Sequence, residues 1–187
     1  MSSNWWERSA EGGLRQGQLL QDVDFYRVVE AEIGDGESGE IATIEVTRGD
    51  GIVLTQSCDL ETKGASLVTL CRVFTASEFA AENAGYNFGG ETVSNSVRSK
   101  WEELRAGKLI NAHLLQSPFA DAVLDPWRVL VVDFRQLLTV PRDAADKRLT
   151  DTSPRLLSPY LEHFSQAFAR SFMRVGLPSD LPSFKRK

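Results

Sequence analysis

The chain has 187 residues, of which 42% are hydrophobic and 25% are charged, and it carries a formal net charge of −5. These values are close to the globular average, so they exclude a disordered chain, a collagen-like fibre and a disulfide-stapled mini-protein. The longest unbroken apolar run covers residues 129–132, whereas a membrane span needs roughly 20 residues. No stretch near the N-terminus has the apolar core of a signal peptide. We therefore expect a cytoplasmic protein with no membrane partner.

The first 17 residues are predicted to form an arm ahead of a single domain over residues 18–187. Trp5 and Trp6 lie side by side in this arm, and Gly12 and Gly13 follow. Two adjacent tryptophans are costly to leave in water, so we expect the arm to pack either on its own domain or on a partner.

From residue 18 onward, short β-like segments alternate with turn sequences such as residues 34–39 and 48–51. Short strands joined by Gly- and Asp-rich turns are typical of a small antiparallel barrel or sandwich. The predicted strands, in chain order, are 25–33, 41–47, 52–57, 66–75, 109–115 and 128–134. Residues 134–140 either continue the sheet or turn back across it.

Three helices are predicted among these strands. Residues 77–84 and 94–106 have helical character, the second with apolar side chains on one face. The last helix begins at Ser158 and Pro159, a capping hydroxyl followed by a first-turn proline, and ends before Gly176. We therefore predict an α+β fold: a small antiparallel β-barrel with inserted helices and a C-terminal amphipathic helix.

The apolar stripe of the last helix is aromatic, and it either covers the domain core or contacts a partner. If it contacts a partner, the binding residues are expected to be Trp5, Trp6, Phe168, Phe172, Arg170 and Arg174.

Charge is distributed unevenly between the two parts of the chain. Residues 1–134 carry a net charge of −10, whereas residues 135–187 carry +5. Nucleic-acid affinity comes largely from basic residues that neutralise phosphates. Because residues 1–134, most of the chain, are acidic overall, we do not expect nucleic acid as a partner. The basic third either pairs with the chain's own acidic part or faces an acidic partner protein.

Polar and reactive side chains follow the strand predicted at residues 52–57. Cys58 is a candidate nucleophile and His113 its candidate base. However, the negative charge of the adjacent Asp59 disfavours a thiolate. The alternative is a small buried cysteine that closes the strand, with Asp59 bonded to the turn backbone. The sequence therefore assigns no catalytic residue.

The sequence contains no motif for phosphate binding, metal binding or a serine nucleophile. It contains no phosphate-cradling glycine loop, no H-E-x-x-H and no G-x-S-x-G. The two cysteines and two histidines are not spaced like zinc ligands. We therefore expect no metal site and no cofactor.

Two stretches resemble a little-characterised group of small bacterial proteins. One is I-V-L-T-Q-S-C-D-L at residues 52–60, and the other runs from Leu156 to the F-M-R-V-G-L-P ending at Pro178. The series of strands is more loosely similar to the SH3-like barrel of the MazF/PemK toxins. That family implies a barrel with a long terminal helix and cleavage of single-stranded RNA.

The toxin family's strand-entry loop, with its glutamate, glycine and Arg-Pro pair, has no counterpart before Ile52. The resemblance therefore carries over no catalytic residue. MazF-like barrels that lack the nuclease site resemble regulatory parts of bacterial defence systems, including protease cascades coupled to CRISPR.

Three hypotheses follow from the sequence. The first is a non-enzymatic interaction or regulatory module of a bacterial stress or defence system, with another protein as partner. The second is a MazF/PemK-like endoribonuclease, in which Arg48, Arg72 and Arg98 would contact RNA phosphates. The third is a thiol- or metal-dependent enzyme that uses Cys58.

Overall fold

The computed structural model describes residues 4–8, 12–32, 41–61, 64–83, 95–119 and 129–173. The strands in these residues are β1 (Trp6–Arg8), β2 (Leu19–Glu32), β3 (Ile41–Val53), β4 (Leu67–Thr75), β5 (Ala112–Gln116), β6 (Val129–Pro141) and β7 (Pro154–Leu156). The helices are α1 (Ser57–Glu61), α2 (Ala76–Glu82), α3 (Asn95–Arg105), α4 (Arg142–Asp146) and α5 (Tyr160–Phe172). No helix within this part of the chain has the length and apolar character needed to cross a membrane.

Five strands form one antiparallel sheet in the order β2-β3-β4-β6-β5, and β1 pairs with β7 in a second, two-stranded sheet. This arrangement, with helices between the strands, confirms the predicted α+β class. The two-stranded sheet makes a contact near each edge of the larger sheet. Trp6 of β1 donates a hydrogen bond from Nε1 to the carbonyl of Gln116, at the end of β5. On the other side, Arg155 of β7 bridges to Gln18, just before β2.

The predicted strand at residues 41–47 and the first two residues of the strand predicted at 52–57 form one strand, β3, so the turn predicted at residues 48–51 is wrong. The glycines in this stretch make room for neighbouring side chains instead of making a turn. A Cβ atom on Gly49 would lie 3.3 Å from the guanidinium of Arg72, and one on Gly51 would lie 3.3 Å from the ring of Phe25. Sequence alone does not distinguish this use of glycine from a turn.

Residues 57–61 form helix α1, although residue 57 was predicted to close a strand. Leu60 of α1 is fully buried, and its carbonyl accepts a hydrogen bond from Arg142. Burial of this one side chain anchors a helix of little more than one turn.

The predicted helices correspond to α2, α3 and α5, whereas β1, β7 and α4 were not predicted. Thr75 and Glu78 form a reciprocal capping box at the start of α2, which explains its boundary. Helix α5 begins at Tyr160, later than predicted, and Ser158 makes no capping bond because Pro159 occupies the N-cap position.

Helix α5 packs on the main hydrophobic core. Phe164 is fully buried beside Phe134 of β6, with ring centroids 6.0 Å apart. Leu161 and Phe168 are partly buried against the same cluster. The aromatic stripe therefore covers the core along most of its length, and only its C-terminal end is free for another contact.

Candidate functional site

The tryptophan arm packs on its own domain. Trp6 is buried, with its indole nitrogen 2.7 Å from the Gln116 carbonyl. Trp5 is half-buried and stacks on Tyr160 of α5, with ring centroids 4.2 Å apart and planes 10° from parallel. The side chain of Trp6 is thus inside the core, whereas Trp5 lies at a surface where a partner could touch it.

Two adjoining clefts lie between this arm, the α3–β5 region and α5. Their volumes are about 410 and 350 Å³, and they share Arg105, Gly107, His113 and His163 as walls. We call the pair the histidine groove. The remaining walls are Trp5, Leu104, Leu114, Leu115, Gln116, Val129 and Tyr160 in the larger cleft, and Ala106, Leu109, Ile110, Ala112, Gln166, Ala167 and Arg170 in the smaller.

His113 is one of the walls that the two clefts share. Its ring lies 6.5 Å from that of Phe134 and 6.3 Å from that of Phe164. Burial, with a smaller contribution from the charge of His163, lowers the pKa of His113 to about 4. His113 is therefore neutral at pH 7, so it can donate or accept a hydrogen bond but brings no positive charge.

The histidine groove contains no carboxylate among the wall residues described, in a chain whose net charge is −5. Its permanent cations are Arg105 and Arg170. Arg105 donates hydrogen bonds to Glu102 from Nε and Nη2, over 3.0 and 2.7 Å. Arg170 is exposed in the last turn of α5, and no ion pair joins it to a carboxylate within the described residues. Arg170 is thus the groove cation best placed to meet an anion.

A further cleft, of about 590 Å³, is lined by residues of β2, β3, β4, α2 and β6. We call it the polar cleft, and its charged walls are Arg27, Glu45, Arg72, Glu82, Asp133 and Arg135. Arg72 lies over the rings of Phe25 and Phe74, with its guanidinium carbon 5.6 and 4.6 Å from their centroids. Its Nη1 donates to Thr47 over 2.9 Å, and its Nη2 is 3.3 Å from Glu82.

Asp133 is fully buried at the bottom of the polar cleft. Its two carboxylate oxygens accept hydrogen bonds from Nε and Nη2 of Arg135, over 2.8 and 2.6 Å. Glu45 pairs with Arg27 at the rim. Each arginine of this cleft therefore already has a carboxylate partner.

Cys58 and His113 are not brought together. Cys58 lies in α1, which follows β3 after residues 54–56. Its sulfur is 3.6 Å from Gln56 Oε1 and 3.7 Å from the carboxylate of Asp59. His113 lies in β5, three strand spacings from β3, or about 14 Å across the sheet. Cys58 is also exposed, so the alternative prediction of a buried cysteine is wrong.

Cys71, in contrast, is the buried thiol of this fold. It donates to the Asp133 carbonyl over 3.0 Å, and burial raises the pKa of its thiol well above the usual value. Such a thiol is a poor nucleophile, because the thiolate is the reactive form.

The other predicted contact residues are dispersed. Arg48 is exposed and paired with Asp24, which raises its pKa, and Arg98 is exposed on α3. Neither lines the polar cleft that contains Arg72. At the end of α5, Phe172 is 55% exposed, whereas Arg174 lies outside the described residues.

Metal ligands are not clustered either. Among the residues with described positions, no group of three or more His, Cys, Asp or Glu side chains could hold a metal ion.

Two features of the site were missed in the sequence. No sequence pattern indicates that Tyr160 stacks on Trp5, because the two residues are 155 positions apart in the chain. The Asp133–Arg135 pair, in contrast, could have been predicted from the sequence, because residues two apart on a strand share a face. An Asp-x-Arg sequence next to a buried apolar run therefore suggests an ion pair at the surface of a sheet.

Comparison with known proteins gives no family for this chain. No protein-family model matches the sequence, and no curated protein shows significant similarity to it.

Proposed function

We propose that this protein is a non-enzymatic interaction module that binds an acidic segment of another protein in the histidine groove. The observation that carries the proposal is the charge of the groove walls. The chain has an excess of acidic residues, yet the described walls of the groove carry two cations, Arg105 and Arg170, and no carboxylate. A surface of this kind attracts an anionic partner and disfavours a cationic one.

The larger cleft supplies an apolar anchor point beside these cations. Its walls include the stacked Trp5 and Tyr160 rings and the leucines Leu104 and Leu115. Rigid aromatic walls around a pocket of about 410 Å³ suit one or two apolar side chains of a bound peptide. We therefore expect the partner segment to combine an apolar residue with a carboxylate that reaches Arg170.

The proposal also covers the type of fold and the cellular system in which the protein acts. The contact of Trp6 with Gln116 and the bridge between Gln18 and Arg155 support a barrel-like arrangement of SH3 type. A regulatory role in a bacterial stress or defence system, such as a protease cascade coupled to CRISPR, rests on the loose similarity of the strand series to MazF-like barrels that lack the nuclease site.

Fluorescence anisotropy with a defined probe tests the binding proposal. The probe is a labelled peptide of alternating glutamate and phenylalanine, and the comparison peptide has lysine in place of each glutamate. We expect the acidic peptide to bind and the basic one not to bind. Arg170→Glu should weaken binding of the acidic peptide by about tenfold or more, because it places a like charge at the groove.

The matched control is Lys147→Glu, which makes the same change of charge at an exposed cation outside the groove. It should leave the affinity within about twofold of wild type, since distant surface charges are screened. Equal losses in the two variants, or equal binding of the two peptides, would mean non-specific attraction and would contradict the proposal.

An endoribonuclease is the second candidate, favoured by the convergence of Arg27, Arg72 and Arg135 in one cleft. Against it, each of these arginines is paired with a carboxylate that an RNA phosphate would have to displace. Incubation with mixed-sequence RNA decides between the two functions. Cleavage that is lost in Arg72→Gln would favour the nuclease, and intact RNA is the result that we expect.

A further inference from the structure

Strand β5 lies at an edge of the five-stranded sheet. It comes after β6 at the end of the strand order, and β6 is the only strand that pairs with it among the described residues. A strand in this position has N–H and C=O groups along its outer side that can pair with another chain. The outer side of β5 can therefore accept a further strand.

The pairing of β5 with β6 identifies which backbone groups of β5 point outward. Hydrogen-bonded and non-hydrogen-bonded pairs alternate along an antiparallel ladder. Just before β5, the N–H of Phe134 donates to the carbonyl of Asn111 over 2.9 Å, so these two residues form a hydrogen-bonded pair. The odd-numbered residues of β5 therefore bond to β6. The even-numbered ones direct their backbone groups away from it: Ala112, Leu114 and Gln116.

Two observations agree with this assignment. The carbonyl of Gln116 accepts the indole N–H of Trp6, which belongs to the other sheet. Leu114 is half-buried, and no hydrogen bond outside the β5–β6 ladder occupies its N–H or its carbonyl within the described part of the chain. The centre of the outer edge thus has one donor and one acceptor without a partner in the domain.

The histidine groove opens on this edge. Its larger cleft is lined by four consecutive residues of β5, 113–116. Successive side chains point to opposite faces of a sheet, so a cleft lined by four residues in a row lies at the edge of the strand. Helix α5 covers one face of β5, where His113 lies near Phe164, and α3 covers the other, where Leu104 and Ala112 share a buried cluster. The groove therefore runs between two helices along the unpaired edge of β5.

We infer that the acidic partner segment binds in the histidine groove as an added β-strand on β5. This inference rests on the proposed function, because it specifies the conformation of the segment that the groove binds. Main-chain hydrogen bonds to Ala112 and Leu114 hold the segment, and its side chains alternate between the two helical walls. Carboxylates on one side reach Arg170 of α5, and apolar side chains on the other contact Leu104 of α3.

The length of the groove determines how much of the partner it holds. The α5 residues that line it extend from Tyr160 to Arg170, a rise of about 15 Å. The five residues of β5 beside them, Ala112–Gln116, span about 14 Å. An extended segment covers this distance in about five residues, whereas a helix needs about ten. A partner segment of about five residues with alternating acidic and apolar side chains therefore fits the groove.

Methylation of peptide nitrogens tests the inference without altering the protein. The parent is the labelled peptide of alternating glutamate and phenylalanine, and one derivative is N-methylated at every glutamate and the other at every phenylalanine. In an added strand, every second N–H faces β5, so one derivative loses these hydrogen bonds and the other keeps them. We expect the affinities of the two derivatives, measured by fluorescence anisotropy, to differ by at least tenfold.

A pair of variants at one position tests the same contact from the side of the protein. Leu114→Pro removes the outward N–H but keeps the ladder with β6, because proline is tolerated at an edge position whose N–H points away from the sheet. Leu114→Ala is the matched control, since it removes the leucine side chain and retains the N–H. The proline variant should bind the parent peptide at least fivefold more weakly than the alanine variant.

Circular dichroism verifies that both variants are folded, and if Leu114→Pro is not, the methylated peptides decide. Equal affinity of the two derivatives, or equal affinity of two folded Leu114 variants for the parent peptide, overturns strand addition. If Arg170→Glu still weakens binding of the parent peptide in that case, the groove proposal stands without this inference. A parent peptide that does not bind at all contradicts both.

Discussion

The polar cleft and the histidine groove both contain arginines but use them in opposite ways. In the polar cleft, Arg72 and Arg135 are held by Glu82 and by the buried Asp133. In the histidine groove, Arg170 has no carboxylate partner within the described residues. An arginine whose charge is neutralised internally stabilises the fold, whereas an arginine at a carboxylate-free surface retains its charge for a ligand. The internal partner of an arginine, more than its position in a cleft, therefore indicates its role.

The largest effect should come from the buried pair of the polar cleft. Asp133→Ala removes three hydrogen bonds, since the carboxylate also accepts from the Arg135 backbone N–H. We expect a loss of about 3 kcal/mol in the free energy of unfolding, measured by urea denaturation. Arg135→Ala should cost at least as much, because it leaves a buried carboxylate without its ion-pair partner.

Glu82→Ala is the control for this pair. It breaks the ion pair with Arg72, but Glu82 is substantially exposed, so the cost should stay below about 1 kcal/mol. If Asp133→Ala costs as little as Glu82→Ala, the buried pair stabilises the fold no more than an exposed one, and the fold-stabilising role assigned to Arg135 is wrong.

A smaller effect is expected from the pH dependence of the groove. The pKa of His113 is about 4 in the folded protein, below its ordinary value of 6.5. The unfolded chain therefore binds a proton first as the pH falls below 6.5, and stability is lost until the pH reaches about 4. Between pH 7 and pH 5 we expect His113 to account for a loss of about 1 to 2 kcal/mol in the free energy of unfolding.

Comparison with His113→Phe isolates this contribution, because the substitution keeps an aromatic ring beside Phe134. Asp50 has the opposite effect: burial raises its pKa to about 6, so the folded state binds a proton first and gains stability as the pH falls. That effect is present in both proteins and cancels. Wild type should lose more stability than the variant between pH 7 and pH 5, and parallel losses would contradict a neutral, buried His113.

Much of this architecture could be predicted from local sequence. Helix α5 and strand β6 were predicted because their patterns are local: an aromatic stripe at helical spacing and a continuous apolar run. β1 and β7 were missed because each has only three residues, and their pairing joins segments about 150 residues apart in the chain. Non-local pairing of this kind leaves no periodic pattern.

The candidate site was predictable only as separate residues. Trp5 and Arg170 were singled out in the sequence as partner contacts, whereas His113 was singled out as the candidate base of Cys58. Their convergence depends on burial of Phe164, which fixes α5 against β6, and on pairing of β5 with β6. The proposed pairing of Cys58 with His113 failed for the same reason, because strand order in a sheet does not follow from the strands themselves.

The smallest expected effect concerns the second arginine of the groove. Arg105 resembles the arginines of the polar cleft, because Glu102 neutralises it through two hydrogen bonds. Both side chains are mostly exposed, so this ion pair contributes little to stability. Glu102→Gln should release the charge of Arg105 to the groove and strengthen binding of the acidic peptide by about two- to threefold.

Glu103→Gln is the matched control for this substitution, since it removes one negative charge from the adjacent position of α3. No ion pair joins Glu103 to a cation among the described residues. If both variants strengthen binding equally, the gain comes from the net charge of the helix. If only Glu102→Gln does so while the midpoint of thermal unfolding stays unchanged, the internal partner of Arg105 controls its availability. The charge of an arginine in this fold would then be set by a carboxylate one helical turn away.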